Sequence, residues 1–305
     1  MRYDIKALSR IYDFEPHLVE KVLRISDILQ ELSRVSFLQK RLCLYGGTAL
    51  NFIFFPGFPR LSFDLDFNYR QIDECDWGDT RDEIDLQLKR VLKDQGYLKV
   101  AIQPSYPLLR MDVSYLNQSG LSDSFKIEIG YMRRITVLKS DTVSAFHHLE
   151  AKKTFSVLTP QKEELFANKV ATFLSRGRGR DLFDVYHIGH IDFDWGLFRK
   201  CFIAECLMHD FTVDHVTVSK LLKSIVIEST LNEMVRHRKV PNDMVEVVES
   251  FLEKLFGDIT EHERRVIDNF SKKGIVDFSS IDDGDLNPLL VQHPAILWLL
   301  KKRFQ

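Results

Sequence analysis

Cysteine is scarce and unclustered. The four residues, Cys43, Cys75, Cys201 and Cys206, form no CxxC pair and no set with histidines at zinc-ligand spacing. A disulfide scaffold and a structural zinc site are therefore excluded, and the thiols read as reduced and structural. Cys201 and Cys206 are five apart on a predicted helix, which puts them on different faces and disfavours a bridge. Long apolar runs are also missing: Phe52–Pro59 and Ala295–Leu300 fall far short of the roughly 20 residues that span a bilayer. The opening MRYDIKALSRIYDFEP carries charges where a secretory signal needs an apolar stretch. The expectation is a cytoplasmic protein with no membrane partner.

Charge of one sign is lacking too. With Lys+Arg 42 and Asp+Glu 44, the net charge is -2, so the chain as a whole has no electrostatic bias toward nucleic acid and any such contact must use a local patch. There is no Walker loop and no GxGxxG turn, which leaves kinase and dehydrogenase readings unsupported. Internal repeats and low-complexity segments are absent. A composition of 45% hydrophobic and 28% charged residues is that of an ordinary soluble globular protein.

At 305 residues the chain can bury one elaborated core or two, and the pattern of elements favours two domains. Segment 15–38 repeats apolar residues at helical spacing (Leu18, Val22, Leu23, Ile25, Ile28, Leu29, Leu32) and leads to the short apolar run Leu42–Tyr45. Gly46-Gly47 breaks that run. Thr48–Phe55 reads as a short helix stopped by Pro56-Gly57, and Leu61–Tyr69 alternates as a strand. A helix over 77–95 and strands near 107–116 and 124–131 follow. After Thr159-Pro160 the signal turns helical: 160–175, 180–188, 196–208, 214–236, 242–256, 260–270 and 287–303, with Thr159 as N-cap and Pro160 in the first turn. The predicted class is α+β: a mixed sheet flanked by helices over 1–150, then an all-helical domain over 151–305 expected to complete the active-site cleft.

The chemistry concentrates on the alternating strand. Side chains alternate with period two, so Phe63, Leu65, Phe67 and Tyr69 share one face while Ser62, Asp64, Asp66 and Asn68 share the other. Two carboxylates so placed resist being charged together. At about 4 Å and an effective dielectric near 20 they repel by roughly 4 kcal/mol. A divalent cation relieves this better than a proton at neutral pH, and hard oxygen donors suit Mg2+ or Mn2+. In Phe125–Tyr131 the same alternation puts Lys126 and Glu128 on one face, making Glu128 the third carboxylate of a site for two metal ions and a nucleoside triphosphate. Gly46 and Gly47, at a strand-to-helix turn, let backbone N–H groups approach phosphates with no Cβ in the way, and Thr48 and Ser62 can add hydroxyl contacts.

LYGGTALNF followed by RLSFDLDF resembles the first motif of the DNA polymerase β-type nucleotidyltransferases and, more narrowly, the AbiEii toxin-type enzymes with their MenT-like relatives. Lys126-Ile-Glu128 matches the family's second motif. Glu164–Lys169 followed by Arg180-Asp-Leu-Phe-Asp184 matches the third, with Phe183 in a tyrosine's place. The resemblance covers about residues 42–188. It implies transfer of an NMP from an NTP, with Asp64, Asp66 and Glu128 as metal ligands and catalytic groups and Lys169 as a catalytic lysine. Gly46, Gly47, Thr48, Ser62, Lys126, Lys169, Arg176, Arg180, Asp181 and Asp184 would surround the nucleotide. It further implies a toxin with an antitoxin partner and an RNA, such as tRNA, as acceptor.

The residues of the third segment agree with this. Lys169 and Arg176 are seven apart, hence on one helix face, and Lys169 can serve phosphate oxygens as a point charge. Asp181 and Asp184 can orient that lysine or meet the acceptor. Arg176-Gly-Arg-Gly-Arg180 reads equally as a phosphate-binding loop or as a flexible linker. Lys152 and Lys153 read as a solvated pair, and His147 and His148 are given no role. Two departures from the family pattern stand out: the apolar bend Phe54–Pro59 before Asp64, and glutamate rather than aspartate at 128. Competing readings are a small-molecule nucleotidyltransferase and a non-catalytic nucleotide-binding module.

Overall fold

A computed structural model describes residues 3–73, 77–150, 153–209 and 215–304. Cys75 and Lys152, singled out in the sequence, lie outside them. The elements, in order, are α1 (Ile5–Tyr12), α2 (Pro16–Arg34), α3 (Ser36–Gln39), β1 (Leu42–Tyr45), α4 (Gly46–Ala49) continued by a π-helical turn (Leu50–Phe54), β2 (Asp64–Tyr69), α5 (Trp77–Asp94), β3 (Lys99–Ser105), β4 (Leu108–Leu116), β5 (Ser122–Gly130), β6 (Thr142–His147) and β7 (Thr154–Thr159). Then come α6 (Lys162–Arg176), α7 (Gly179–Ile188), α8 (Trp195–His209), α9 (His215–Ser224), α10 (Ser229–Met234), α11 (Met244–Asp258), α12 (Glu261–Lys273) and α13 (Pro294–Phe304). Contacts divide the chain into two compact units: Met1–Arg134, Thr142–Thr159 and Asn232–Lys239 form the first, and Ile135–Asp141, Pro160–Leu231 and Val240–Gln305 the second.

The first unit is a mixed five-stranded sheet of order β1-β2-β5-β4-β3, in which only β2 and β5 run parallel. Alternation decides its faces. Leu65, Phe67 and Tyr69 of β2, Leu109, Met111 and Val113 of β4, and Phe125, Ile127 and Ile129 of β5 are buried, and α2 packs against β2, β5 and α5. Each such side chain removed from water stabilises the fold by roughly 1.5–3 kcal/mol. The polar residues between them point the other way. The hairpin β6–β7 forms a separate two-stranded sheet, joined to the π-helical turn by stacked rings: Phe52 lies 5.4 Å from Phe146, and Phe146 4.9 Å from Phe155.

The second unit is helical. Its centre is α8, buried nearly all round by Phe198, Cys201, Phe202, Ile203, Ala204, Glu205, Cys206 and Leu207, with α6, α12 and α13 against it. Cys43, Cys201 and Cys206 are buried thiols, and burial pushes those of Cys201 and Cys206 well up.

Several elements differ from their predicted bounds. The helix expected over 214–236 is broken between α9 and α10, where Ile225-Val-Ile227 places three consecutive β-branched residues that resist helical packing. The break carries the chain back into the first unit: Val235 bridges Arg60, Leu61 N donates to Met234 O at 2.8 Å, and Arg236 N to Pro59 O at 2.9 Å. Thr159 ends β7 rather than capping a helix, and α6 starts two residues later from Gln161. Helix 287–303 is reduced to α13, which begins at Pro294, a residue without an N–H that suits a helix start. His147 ends β6 and His148 directly follows it.

Candidate active site

In the first unit the β1–α4 turn and β2 are locked together by side chains. Gly46 has φ +71, a left-handed conformation that costs any residue with a Cβ about 1–2 kcal/mol. A Cβ there would also overlap the Asp66 carboxylate. On Gly47 a Cβ would strike the Arg60 guanidinium and lie 2.9 Å from Ser62 Oγ. The glycine pair thus makes room for Asp66 and Arg60 themselves. Thr48 is fully buried; its hydroxyl donates to the Asp64 carbonyl at 2.5 Å and lies 3.0 Å from Ser62 Oγ. In this structure Thr48 and Ser62 therefore tie the helix to the start of β2. Asn51 continues the tie, donating to Gly47 O at 2.9 Å and accepting from Arg60 N at 3.3 Å.

Strand register builds the charged face. Asp64 stands opposite Lys126 and Asp66 opposite Glu128 on parallel strands β2 and β5, while Glu128 stands opposite Arg110 and Lys126 opposite Asp112 on antiparallel β4. Directly opposed residues share a face. Asp64, Asp66, Lys126, Glu128, Arg110 and Asp112 therefore form one charged surface, with Lys126 exposed and the others part-exposed. Arg110, which lies outside the sequence motifs, gives both Nε–H (2.7 Å) and Nη2–H (2.6 Å) to Glu128 Oε1. Alternation along β4 places Arg110 on the polar face, but only the β4–β5 register reveals its partner.

The donor set suits a hard divalent cation: three carboxylates on two neighbouring strands, with Asp66 in the space that a Cβ on Gly46 would fill. Among the described residues no three His, Cys, Asp or Glu side chains converge as a ready-made metal centre. Glu128 is engaged with Arg110 instead.

The second unit holds the other predicted set. Gly177, at φ +59, closes α6 by giving its N–H to Phe173 O at 2.8 Å, and α7 begins at Gly179. That tight turn folds α7 back so that Lys169 Nζ lies 3.0 Å from Asp181 Oδ1 and 2.9 Å from Asp184 Oδ2. Arg176 adds Nε to Asp181 Oδ2 at 2.6 Å and Nη2 to Asp181 Oδ1 at 2.8 Å. Both aspartates are fully buried and Lys169 is 6% exposed. Burial opposes ionisation of Asp181, but the Lys169 ammonium and the Arg176 guanidinium outweigh it and hold this carboxyl well below the usual carboxylate range. Within this network two cations meet two anions, and Arg178 and Arg180 add two further positive charges to the turn. Gly179 allows close approach of the broken helix: a Cβ on it would lie 3.2 Å from Val226 O. The motif's Glu164 is buried, and its Oε2 accepts from Val137 N (3.1 Å) and Leu138 N (3.0 Å), a structural duty within this unit.

Gly46, Gly47, Thr48, Ser62, Asp64, Asp66, Lys126 and Glu128 are thus assembled in one unit. Lys169, Arg176, Asp181 and Asp184 are assembled in the other, with Arg180 beside them and outside their ion-pair network.

A family model described as nucleotidyl transferase AbiEii toxin, Type IV TA system, matches residues 27–261. No curated protein matches the chain. Among solved structures, MenT4, a nucleotidyltransferase toxin from Mycobacterium tuberculosis H37Rv, is similar in fold with a TM-score of 0.63 at 17% identity, covering 98% of this chain and 99% of its own. No helix among the described residues is long and apolar enough to cross a membrane.

Proposed function

Because the chain belongs to the AbiEii nucleotidyltransferase toxin family, we propose that it transfers an NMP from an NTP to an acceptor hydroxyl, with release of pyrophosphate. The observation that carries this reading is the register setting Asp66 beside Glu128, with Asp64 one alternation along the same face and Gly46 clearing the space at Asp66. Asp64, Asp66 and Glu128 would hold a divalent cation, Mg2+ or Mn2+, which would supply neutralisation of the triphosphate and polarisation of its phosphorus–oxygen bonds.

The chain's own residues do the rest. Glu128 takes the proton of the acceptor hydroxyl as that oxygen attacks the α-phosphorus. The bond between the α-phosphorus and its bridging oxygen breaks, and its electron pair leaves with pyrophosphate. Gly46 and Gly47 leave room at the turn for Asp66 and Arg60, Ser62 and Thr48 fix the start of β2, and exposed Lys126, opposite Asp64, offsets negative charge. In the second unit Lys169 is held between Asp181 and Asp184, with Arg176 on Asp181 and Arg180 outside that ion-pair network. Catalysis is then positioning and charge neutralisation rather than covalent chemistry.

The family's description as toxins of toxin–antitoxin systems supports a co-encoded antitoxin as the partner; the proposed acceptor is an RNA, tRNA first, and the proposed compartment is the cytoplasm. Incubation of the purified protein with each α-labelled NTP and total cellular RNA tests this. Label in an RNA band supports it; label confined to a small product points to a small-molecule acceptor instead.

A further inference from the structure

Arg110 is assigned no part by the motifs, yet it is the residue that holds Glu128. Both of its donors converge on a single oxygen, Oε1, at 2.7 and 2.6 Å. The pair is part-exposed, with side-chain accessibilities of 37% for Arg110 and 24% for Glu128, so exchange of partners needs no rearrangement of the core. Arg110 and Glu128 are directly opposed on β4 and β5, and Glu128 and Asp66 on β5 and β2. The three groups therefore stand in one row across the sheet, with Glu128 between a cationic and an anionic neighbour.

We propose that Arg110 is a latch on Glu128 that becomes a phosphate ligand when released. A carboxylate oxygen accepting two guanidinium N–H groups has its charge satisfied, and a dication beside it would meet the like charge of the guanidinium. Glu128 therefore exchanges Arg110 for the cation when the site fills. The freed guanidinium stays on the same face, one strand from Glu128, and its planar fork suits two phosphate oxygens of the triphosphate. Metal binding and nucleotide binding are thereby coupled through one side chain: the exchange works against loading of the cation alone and favours loading together with the anion that Arg110 then meets. This inference rests on the reading of Asp64, Asp66 and Glu128 as the cation site.

The test is equilibrium binding rather than turnover. Mn2+ binding by the full chain is followed by the loss of its free electron-spin signal, and binding of a non-hydrolysable NTP analogue by calorimetry in saturating Mg2+. In Arg110→Gln the latch is gone, and Mn2+ affinity rises about fivefold, the worth of a part-exposed ion pair. Analogue affinity falls about tenfold, as expected for losing a charge-assisted contact. Arg110→Lys, which keeps the charge but not the fork, falls between wild type and Arg110→Gln in both measurements and serves if the glutamine variant folds poorly. Unchanged or weaker Mn2+ binding in Arg110→Gln overturns the latch and leaves Arg110 a structural brace. Tighter Mn2+ binding with unchanged analogue binding overturns the phosphate role. If Mn2+ binding to the wild-type chain survives Asp64→Asn with Asp66→Asn, the cation site itself is misplaced and the inference falls with it; loss of binding there alongside a null result for Arg110 isolates the failure to the latch.

Discussion

Replacing Lys169 by methionine removes the ammonium from between two buried carboxylates while keeping an unbranched side chain of similar length. Its Nζ lies 3.0 and 2.9 Å from Asp181 and Asp184, both fully buried. Removing one partner of a buried ion pair costs about 3–5 kcal/mol. Arg176 keeps its two bonds to Asp181, which places the expected loss near the lower bound, about 3 kcal/mol. Urea unfolding followed by tryptophan fluorescence measures it, and adding Asp184→Asn to Lys169→Met should recover roughly half, because the second change removes a buried negative charge. The acid limb gives an independent check. Asp181 has a folded pKa below its unfolded value of about 3.9, so its contribution is complete above that value and is lost as pH falls through the folded pKa. Wild-type stability should therefore decline on acidification below about pH 4, and the decline should be shallower in Lys169→Met. A loss under about 1 kcal/mol, or a steeper acid limb, would refute the buried-network argument.

Other expectations follow from the same geometry. Gly46→Ala forces a Cβ into a left-handed backbone and onto Asp66; it should destabilise by about 1–2 kcal/mol and lower kcat far more than it alters the unfolding midpoint, as paired kinetics and denaturation would show. His148 is buried, accepts from Glu150 N on Nδ1 at 3.0 Å, and is held at a pKa of about 4 by burial against the opposing pull of Asp27. Its folded pKa lies below the unfolded value, so the unfolded chain binds the extra proton and stability is lost as pH falls from about 6.5 toward 4, by up to about 3 kcal/mol. His148→Gln should flatten the stability profile in that window. Removal of Arg110 should tighten Mn2+ binding and loosen nucleotide binding, as set out above.

How much of this was legible in the sequence depends on the range of the interaction. The faces of β2 and β5 were legible because alternation is local: Asp64, Asp66 and Glu128 separate from Leu65, Phe67 and Ile127 by period alone. The Arg110–Glu128 pair was not, because it depends on how β4 registers on β5, which no single segment encodes. β3 carries Pro104 and lies at the sheet edge, where proline is tolerated but the strand signal is weak. The spacing of Lys169 and Arg176 was visible on one helix. Their convergence on Asp181 required the left-handed turn at Gly177 that folds α7 back. The break after α9 was written in Ile225-Val-Ile227, yet apolar residues on either side kept a helical period and masked it. That Asn232–Lys239 returns to the first unit is a long-range outcome set by pairing with Arg60 and Leu61.

The central claim is that Asp64 and Asp66 make the first unit a metal-dependent nucleotidyltransferase centre. Pyrophosphate release by purified wild-type protein and by Asp64→Asn with Asp66→Asn, in Mg2+ with each NTP and total RNA, tests it most directly. The account predicts a loss of at least about 1,000-fold in the double variant, whose fold and unfolding midpoint stay close to wild type, as for removal of a main electrostatic contributor to the transition state. Pyrophosphate release by the double variant at a rate near that of wild type would contradict it.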